Sequence, residues 1–306
     1  MSSGKAKLVR RRDLICWTAA LAAAGVGIVG ASPALAQPAA ADLNISPKRI
    51  VFSPDMRTAV VYVFNRGGLP ATYTVQLTDR VMTPDGQVRA VSEPDVKVGA
   101  ADYVAKLPSA QPLLTYTPRR VTLKPGESQV IRLRADRPAD AKAGEYHTHL
   151  TVTTLPPETA GETAEEAAAA EPGSLTAKLN TLFSISIAVI VRVGAPDVQG
   201  GVDKVAYAVR PAAGEAPATA VLSMDLLRKG ANSLYGDVEV RAAGAARNST
   251  PLGAIRGVGV YTEIDRRSVD IPLSKIPARG ERLEITLKDD DTKPGVVLAS
   301  TVFTVP

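Results

Sequence analysis

The chain has only two histidines, His147 and His149, with Glu145 two positions before the first. On an extended backbone, residues two apart share a face, so two imidazoles and a carboxylate could converge on a divalent metal. The same spacing also describes the polar face of a strand, and that is the reading we adopt, with no metal ligand assigned. Asp289, Asp290 and Asp291 offer clustered carboxylates, but an acidic run before a turn reads as solvated. The chain contains no GxSxG, HExxH or phosphate-loop motif, and the GxGxxG spacing of Gly25, Gly27 and Gly30 falls inside a short N-terminal apolar run rather than a strand–turn–helix unit. Its one cysteine, Cys16, lies near the N-terminus. With no nucleophile beside a base and no cofactor motif, the sequence reads as a non-enzyme without a cofactor.

The strongest structural pattern is at residues 179–193, LNTLFSISIAVIVRV. Leu179, Phe183, Ile185, Ile187, Val189 and Val191 share one parity, and Thr181 is its one polar member. The other parity carries Asn180, Ser184, Ser186, Ala188 and Arg192, interrupted by Leu182 and Ile190. Alternation of this kind with β-branched residues predicts a strand with one face in a core. At about 3.3 Å per residue it would span ~50 Å, which suggests pairing beyond its own domain.

Residues 1–36 read as a cleaved export signal. Lys5, Lys7 and Arg10 to Arg12 form a basic start, a short apolar run follows, and Ala34-Leu35-Ala36 supplies a small-residue cleavage site. The apolar run is too short for a membrane anchor. The general secretory route is the expectation, although Arg11-Arg12 loosely resembles a twin-arginine signal. These residues hold five of the 36 Lys+Arg and one of the 31 Asp+Glu, so the remainder carries 31 against 30. The basic character therefore belongs to the leader, and a nucleic-acid partner has no electrostatic support. Cys16 leaves with the leader, so the exported chain has no disulfide and must be stabilised by its cores.

Further strands are predicted at 44–52 (an edge strand, because it contains Pro47), 58–65, 71–78, 128–135 and 145–155, with a long irregular connection over 92–112. Ile131 and Leu133 point inward, and Arg132 and Arg134 outward. The segment 158–174 has five glutamates, six alanines and no large apolar residue, and reads as a solvated acidic loop. Gly194-Ala195-Pro196 marks a boundary. Seven short strands follow, around 202–209, 220–227, 235–241, 255–261, 268–271, 282–287 and 296–303. The fold class is therefore all-β, with a first Ig-like domain over 37–193 and a second over 194–306.

Several segments resemble the periplasmic pilus-assembly chaperones, the PapD-like family. Ile45-Ser46-Pro47-Lys48-Arg49-Ile50-Val51-Phe52 is similar to that family's first strand. Asn65 followed by Leu69-Pro70 is similar to its second-strand asparagine and the proline opening the third. The closest likeness runs from Thr117-Pro118 through Leu123-Lys124-Pro125-Gly126-Glu127 to Gln129 and Arg132, resembling P-P-x-x-x-L-x-P-G-x-x-Q-x-x-R. The segment from Glu145 to Leu155-Pro156-Pro157 resembles the sixth strand with its terminal I-P-P.

The resemblance implies two Ig-like β-sandwiches in a boomerang arrangement, and a periplasmic protein that caps pilin-like secreted subunits. The first domain would lend a strand to a subunit lacking one and deliver it to an outer-membrane usher. It implies subunit contacts at Leu179, Thr181, Phe183, Ile185 and Ile187, and an Arg49 that grips the subunit's terminal carboxylate. The family pairs that arginine with a lysine, and here Ala188 stands at the lysine's position. Glu145, Arg192 and Asp291 resemble an interdomain ion cluster. The alternative is an exported Ig-like structural or adhesion module that uses this fold without lending a strand.

Overall fold

The computed structural model describes residues 42–156 and 182–306, apart from 213, 215, 216 and 247. The leader, the acidic stretch 158–174, Leu179 and Thr181 lie outside the described residues. The described chain forms two β-sandwiches.

The first begins with β1 (Leu43–Ser46) and β2 (Arg49–Phe52), where a single edge strand was expected. β1 pairs antiparallel with β3 (Thr58–Asn65), whereas β2 joins the opposite sheet. Pro47 sits at the switch: it has no N–H to give a ladder, so pairing stops there and the chain crosses between layers. β4 (Ala71–Thr78) follows, then a small hairpin of β5 (Arg80–Met82) and β6 (Val88–Ala90). The stretch expected to be irregular instead forms α1 (Pro94–Gly99), α2 (Ala101–Ala105) and a 3-10 turn. Val81, Val96 and Ala100 bury one another in a small separate cluster, which orders this segment despite its weak periodicity.

The sandwich is completed by β7 (Leu114–Thr117), β8 (Arg120–Leu123), β9 (Ser128–Ala135), β10 (Gly144–Thr154) and β11 (Ser184–Val193). One sheet runs β1-β3-β9-β7 and the other β2-β11-β10-β4-β8. Between them lie Phe52, Val61, Val63, Tyr73, Ile131, Leu133, Leu150, Val152, Ile187, Val189 and Val191. Period-2 alternation on each strand supplies this core, with Arg132 and Arg134 exposed on the outer face of β9.

The seven strands expected after Gly194 are all present. β12 (Gly200–Arg210), β13 (Thr219–Arg228) and β16 (Arg266–Pro272) form one sheet. β14 (Leu234–Ala242), β15 (Gly253–Val260), β17 (Arg282–Asp289) and β18 (Val297–Thr304) form the other, in the order β15-β14-β17-β18. Leu222, Leu226, Val238, Val240, Ile271, Leu283 and Ile285 fill the space between them. Met82 and Ala188, from the first sandwich, belong to this same apolar cluster, so the two sandwiches share a continuous packed contact.

A buried ionic face and an open strand edge

β10 and β11 run antiparallel in full register, which sorts their side chains into two faces. Leu150 opposite Ile187 and Val152 opposite Ile185 face the first core. Glu145 opposite Arg192, His147 opposite Ile190 and His149 opposite Ala188 face the other way. There the second sandwich covers them, so Glu145, His147, His149, Ala188, Ile190 and Arg192 are all buried. This explains Ile190, which interrupts the polar parity: its face is an interface, not a solvent surface. The histidines do lie on the polar face of a strand, and that face is buried.

Arg192 is the centre of an ionic network. Its Nε donates to Glu145 Oε2 (3.0 Å), its Nη2 to Asp291 Oδ2 (2.7 Å) and its Nη1 to the Thr292 hydroxyl (3.3 Å). Burial works against its charge, but the Glu145 and Asp291 carboxylates more than offset this and hold the guanidinium proton more tightly than usual. Glu145 Oε2 also accepts from the Ser233 backbone N–H (3.2 Å) and Asn232 Nδ2 (3.5 Å) of the second sandwich. Arg49 Nη2 donates to the same Asp291 oxygen (2.8 Å), and its guanidinium lies 4.4 Å from the Tyr235 ring centroid. The Arg49 side chain is only 12 % exposed. Each of the three sequence-assigned charges thus meets a partner across the junction, and Arg49 joins them.

The acidic run is solvated only at Asp290. Asp289 is buried, and its carboxylate accepts from the backbone N–H groups of Asp291, Thr292 and Lys293. This turn presents Asp291 to the two arginines. It had no signal in the sequence beyond an Asp-rich stretch before Gly295.

The metal arrangement suggested by spacing does not assemble. Glu145 is committed to Arg192, and no group of three or more His, Cys, Asp or Glu able to hold a metal exists among the described residues. His147 Nε2 instead lies 3.6 Å from Glu263 Oε2 of the second sandwich, with the Tyr261 ring 5.0 Å from the imidazole. Sequence reasoning missed Tyr261 and Glu263, which lie in the turn after β15 and carry no motif.

The second feature is the outer edge of β11. β2 pairs with it, in parallel, only from Ala188 to Val191. Among the described residues, no strand pairs with that edge from Ser184 to Ile187. The Thr154 N–H donates to the Phe183 carbonyl (2.9 Å), which sets the ladder's alternation. It follows that Ser184 and Ser186 direct their N–H and C=O groups away from β10. Along the core-facing parity, Ile187 is 2 % exposed, Ile185 is half-buried and Phe183 is 44 % exposed. Apolar side chains therefore emerge progressively from the first core toward the open end. On the opposite face, Ser186 and Thr151 hydroxyls meet at 2.8 Å and those of Ser184 and Thr153 at 3.0 Å, leaving that side polar. A groove of ≈ 470 Å³ exists elsewhere, over Ala59, Val60, Tyr116 and Leu133 on the other sheet, away from both features.

No model of a known protein family matches the chain. No curated protein matches it either. Among solved structures, it is similar to the E. coli chaperone DraB, at 12 % identity and a TM-score of 0.40 over 87 % of this chain and 97 % of that one. The Pseudomonas aeruginosa CupB2 chaperone aligns at 11 % identity and a TM-score of 0.42, over 86 % of this chain and 100 % of that one. A chain of the CsuC–CsuE chaperone–tip adhesion subunit pre-assembly complex from Acinetobacter baumannii aligns at 13 % identity and a TM-score of 0.37, over 87 % and 98 %.

Proposed function

We propose that this protein is a periplasmic chaperone that caps pilin-like secreted subunits by lending them an edge of β11, and hands them to an outer-membrane usher. The observation that carries the proposal is the open edge of β11 from Ser184 to Ile187, beside the exposed Phe183. A subunit lacking one strand exposes unpaired backbone groups and an apolar groove. The outward-directed N–H and C=O groups of Ser184 and Ser186 supply the missing ladder, while Phe183 and Ile185 enter the groove. Each large apolar side chain fully buried this way contributes ~1.5–3 kcal/mol. The sequence resemblance to pilus-assembly chaperones supports the same reading. Leu179 and Thr181 complete the proposed set of subunit contacts, and Ile187 forms the anchored end of the strand.

Residues 1–36 are then the export leader, with sandwiches over 37–193 and 194–306. The mechanism needs no cofactor and no covalent step, and no enzymatic activity is assigned. No helix among the described residues is long and apolar enough to cross a membrane. Arg49 has an additional condition to meet. A subunit carboxylate reaching it must share it with Asp291 or displace Asp291, without the help of a lysine at Ala188.

The test is co-expression with a small exported β-rich subunit that aggregates alone. A one-to-one soluble complex with slowed amide exchange at Ser184 and Ser186, lost in a folded Phe183→Glu variant, is the expected result. A complex that leaves those two amides unprotected, or that Phe183→Glu forms equally well, rejects strand lending.

A further inference from the structure

Both nitrogens of His147 and the Nδ1 of His149 make no hydrogen bond to the ionic network. A short turn of the second sandwich, residues 261–265, brings Tyr261 and Glu263 onto β10, and beside it the Ser268 N–H donates to the Pro84 carbonyl of the first sandwich at 2.8 Å. Ring centroids of Tyr261 stand 5.0 Å from His147 and 6.1 Å from His149. Among the described residues, the turn's one hydrogen bond to the first sandwich is from the Met82 backbone N–H to Glu263 Oε1, at 2.6 Å. Four polar atoms in this contact are buried with no hydrogen-bond partner: Nδ1 and Nε2 of His147, Nδ1 of His149 and Oε2 of Glu263. A sealed contact with unmade hydrogen bonds is held more weakly than its area suggests.

The turn itself is firmly built on its own side. The Arg228 guanidinium donates to the carbonyls of Thr262, Ile264 and Gly230, so the turn can leave β10 without unravelling. The geometry points to an acid-opened latch: protonation of His149 expels the turn 261–265 from β10 and loosens the junction between the two sandwiches.

The charges around the pair set the direction. Arg49 on β2, Arg80 on β5, and His147 and Glu145 on β10 face it from the first sandwich, and Tyr261, Glu263 and Arg267 from the second. Glu145 is already paired with Arg192, and one oxygen of Glu263 with Met82. A protonated His149 would meet the Arg80 and Arg49 guanidinium groups. Burial first, then His147, Arg80 and Arg49, accordingly hold the His149 imidazole down to about 3 from its ordinary 6.5. Lifting the turn restores water and the ordinary value, so protons favour the open form. Glu263 acts in the opposite sense, because burial raises its carboxyl, but His147 and the Met82 N–H restrain that rise. With His149 dominant, the open-to-closed ratio rises ~30-fold between pH 7.5 and 5.0. The inference does not depend on strand lending by β11.

The experiment uses the exported protein, whose sequence-expected lack of cysteine permits labelling at Lys124→Cys in the first sandwich and Arg279→Cys in the second. Spin-label distance distributions are recorded at pH 7.5 and 5.0, alongside an NMR titration of the two wild-type imidazoles. The expected result is a longer, broader distribution at pH 5.0 that reverses on neutralisation and is absent in His149→Gln, with His149 gaining its proton only as the distance changes. A wild-type distribution unchanged at pH 5.0 overturns the latch, and so does equal opening in His149→Gln. If His149→Gln does not fold, the wild-type titration decides: protonation of His149 near pH 6.5 without a distance change overturns it.

Discussion

Arg192 is the residue whose removal should damage the junction most. Truncation in Arg192→Ala leaves Glu145 and Asp291 buried without their shared cation. Breaking a buried ion pair by removing one partner costs ~3–5 kcal/mol, because the surviving charge has lost its solvent and its counter-ion. Here both carboxylates keep other donors, Ser233 N–H and Asn232 Nδ2 for Glu145 and Arg49 for Asp291, which places the expected loss near the lower end, ~3 kcal/mol. Against a total stability of ~5–15 kcal/mol that loss is large, and it is visible as a lowered urea midpoint followed by circular dichroism. The double variants Arg192→Ala/Glu145→Gln and Arg192→Ala/Asp291→Asn should recover part of the loss, since they remove the stranded charge. Strict additivity would mean that the side chains do not interact. A loss below ~1 kcal/mol for Arg192→Ala, or additive doubles, refutes the network as an energetic unit and leaves it as geometry only.

Further expectations test the strand, a backbone contact and the acid limb. Ile187→Ala should cost ~2–4 kcal/mol in chemical unfolding because it empties core volume, whereas Phe183→Glu should change stability by less than ~1 kcal/mol because its ring is largely outside the core. Gly236→Ala should strongly destabilise the β14–β17 pairing, seen as a lowered thermal midpoint, because a Cβ would fall on the Lys288 carbonyl oxygen. Glu239 accepts from Lys288, Arg241 and Arg256, and hydrogen bonding from Lys288 leads the causes that hold its carboxyl at about 2, below the usual 4.5. Its stabilising effect is thus complete above pH ~4.5 and lost as pH falls toward 2, so Glu239→Gln should flatten the stability–pH curve over that window.

Local pattern determined the strands, because a half-buried strand must alternate its side chains whatever it packs against. All seven strands after Gly194 were legible in this way, as were the inward Ile131 and Leu133 and the apolar parity from Phe183 to Val191. What alternation cannot tell is what covers the second face. The polar parity of β10 and β11 carried no sign of a cover, yet His147, His149, Ala188 and Ile190 are buried under a second sandwich contributed by residues far along the chain. Position along the sequence also hid the switch at Pro47, the ordering of 94–105 and the turn at Asp289 that aims Asp291 at Arg49 and Arg192. These depend on contacts between distant segments, which leave no periodic trace in the residues that make them. The chain's own spacing thus determined an all-β chain and one long alternating strand, and the lending role of that strand came from the resemblance. Tertiary packing alone decided that Arg49 is shared with Asp291, that the histidines lie under Tyr261 and Glu263, and that the edge of β11 from Ser184 to Ile187 has no strand beside it among the described residues.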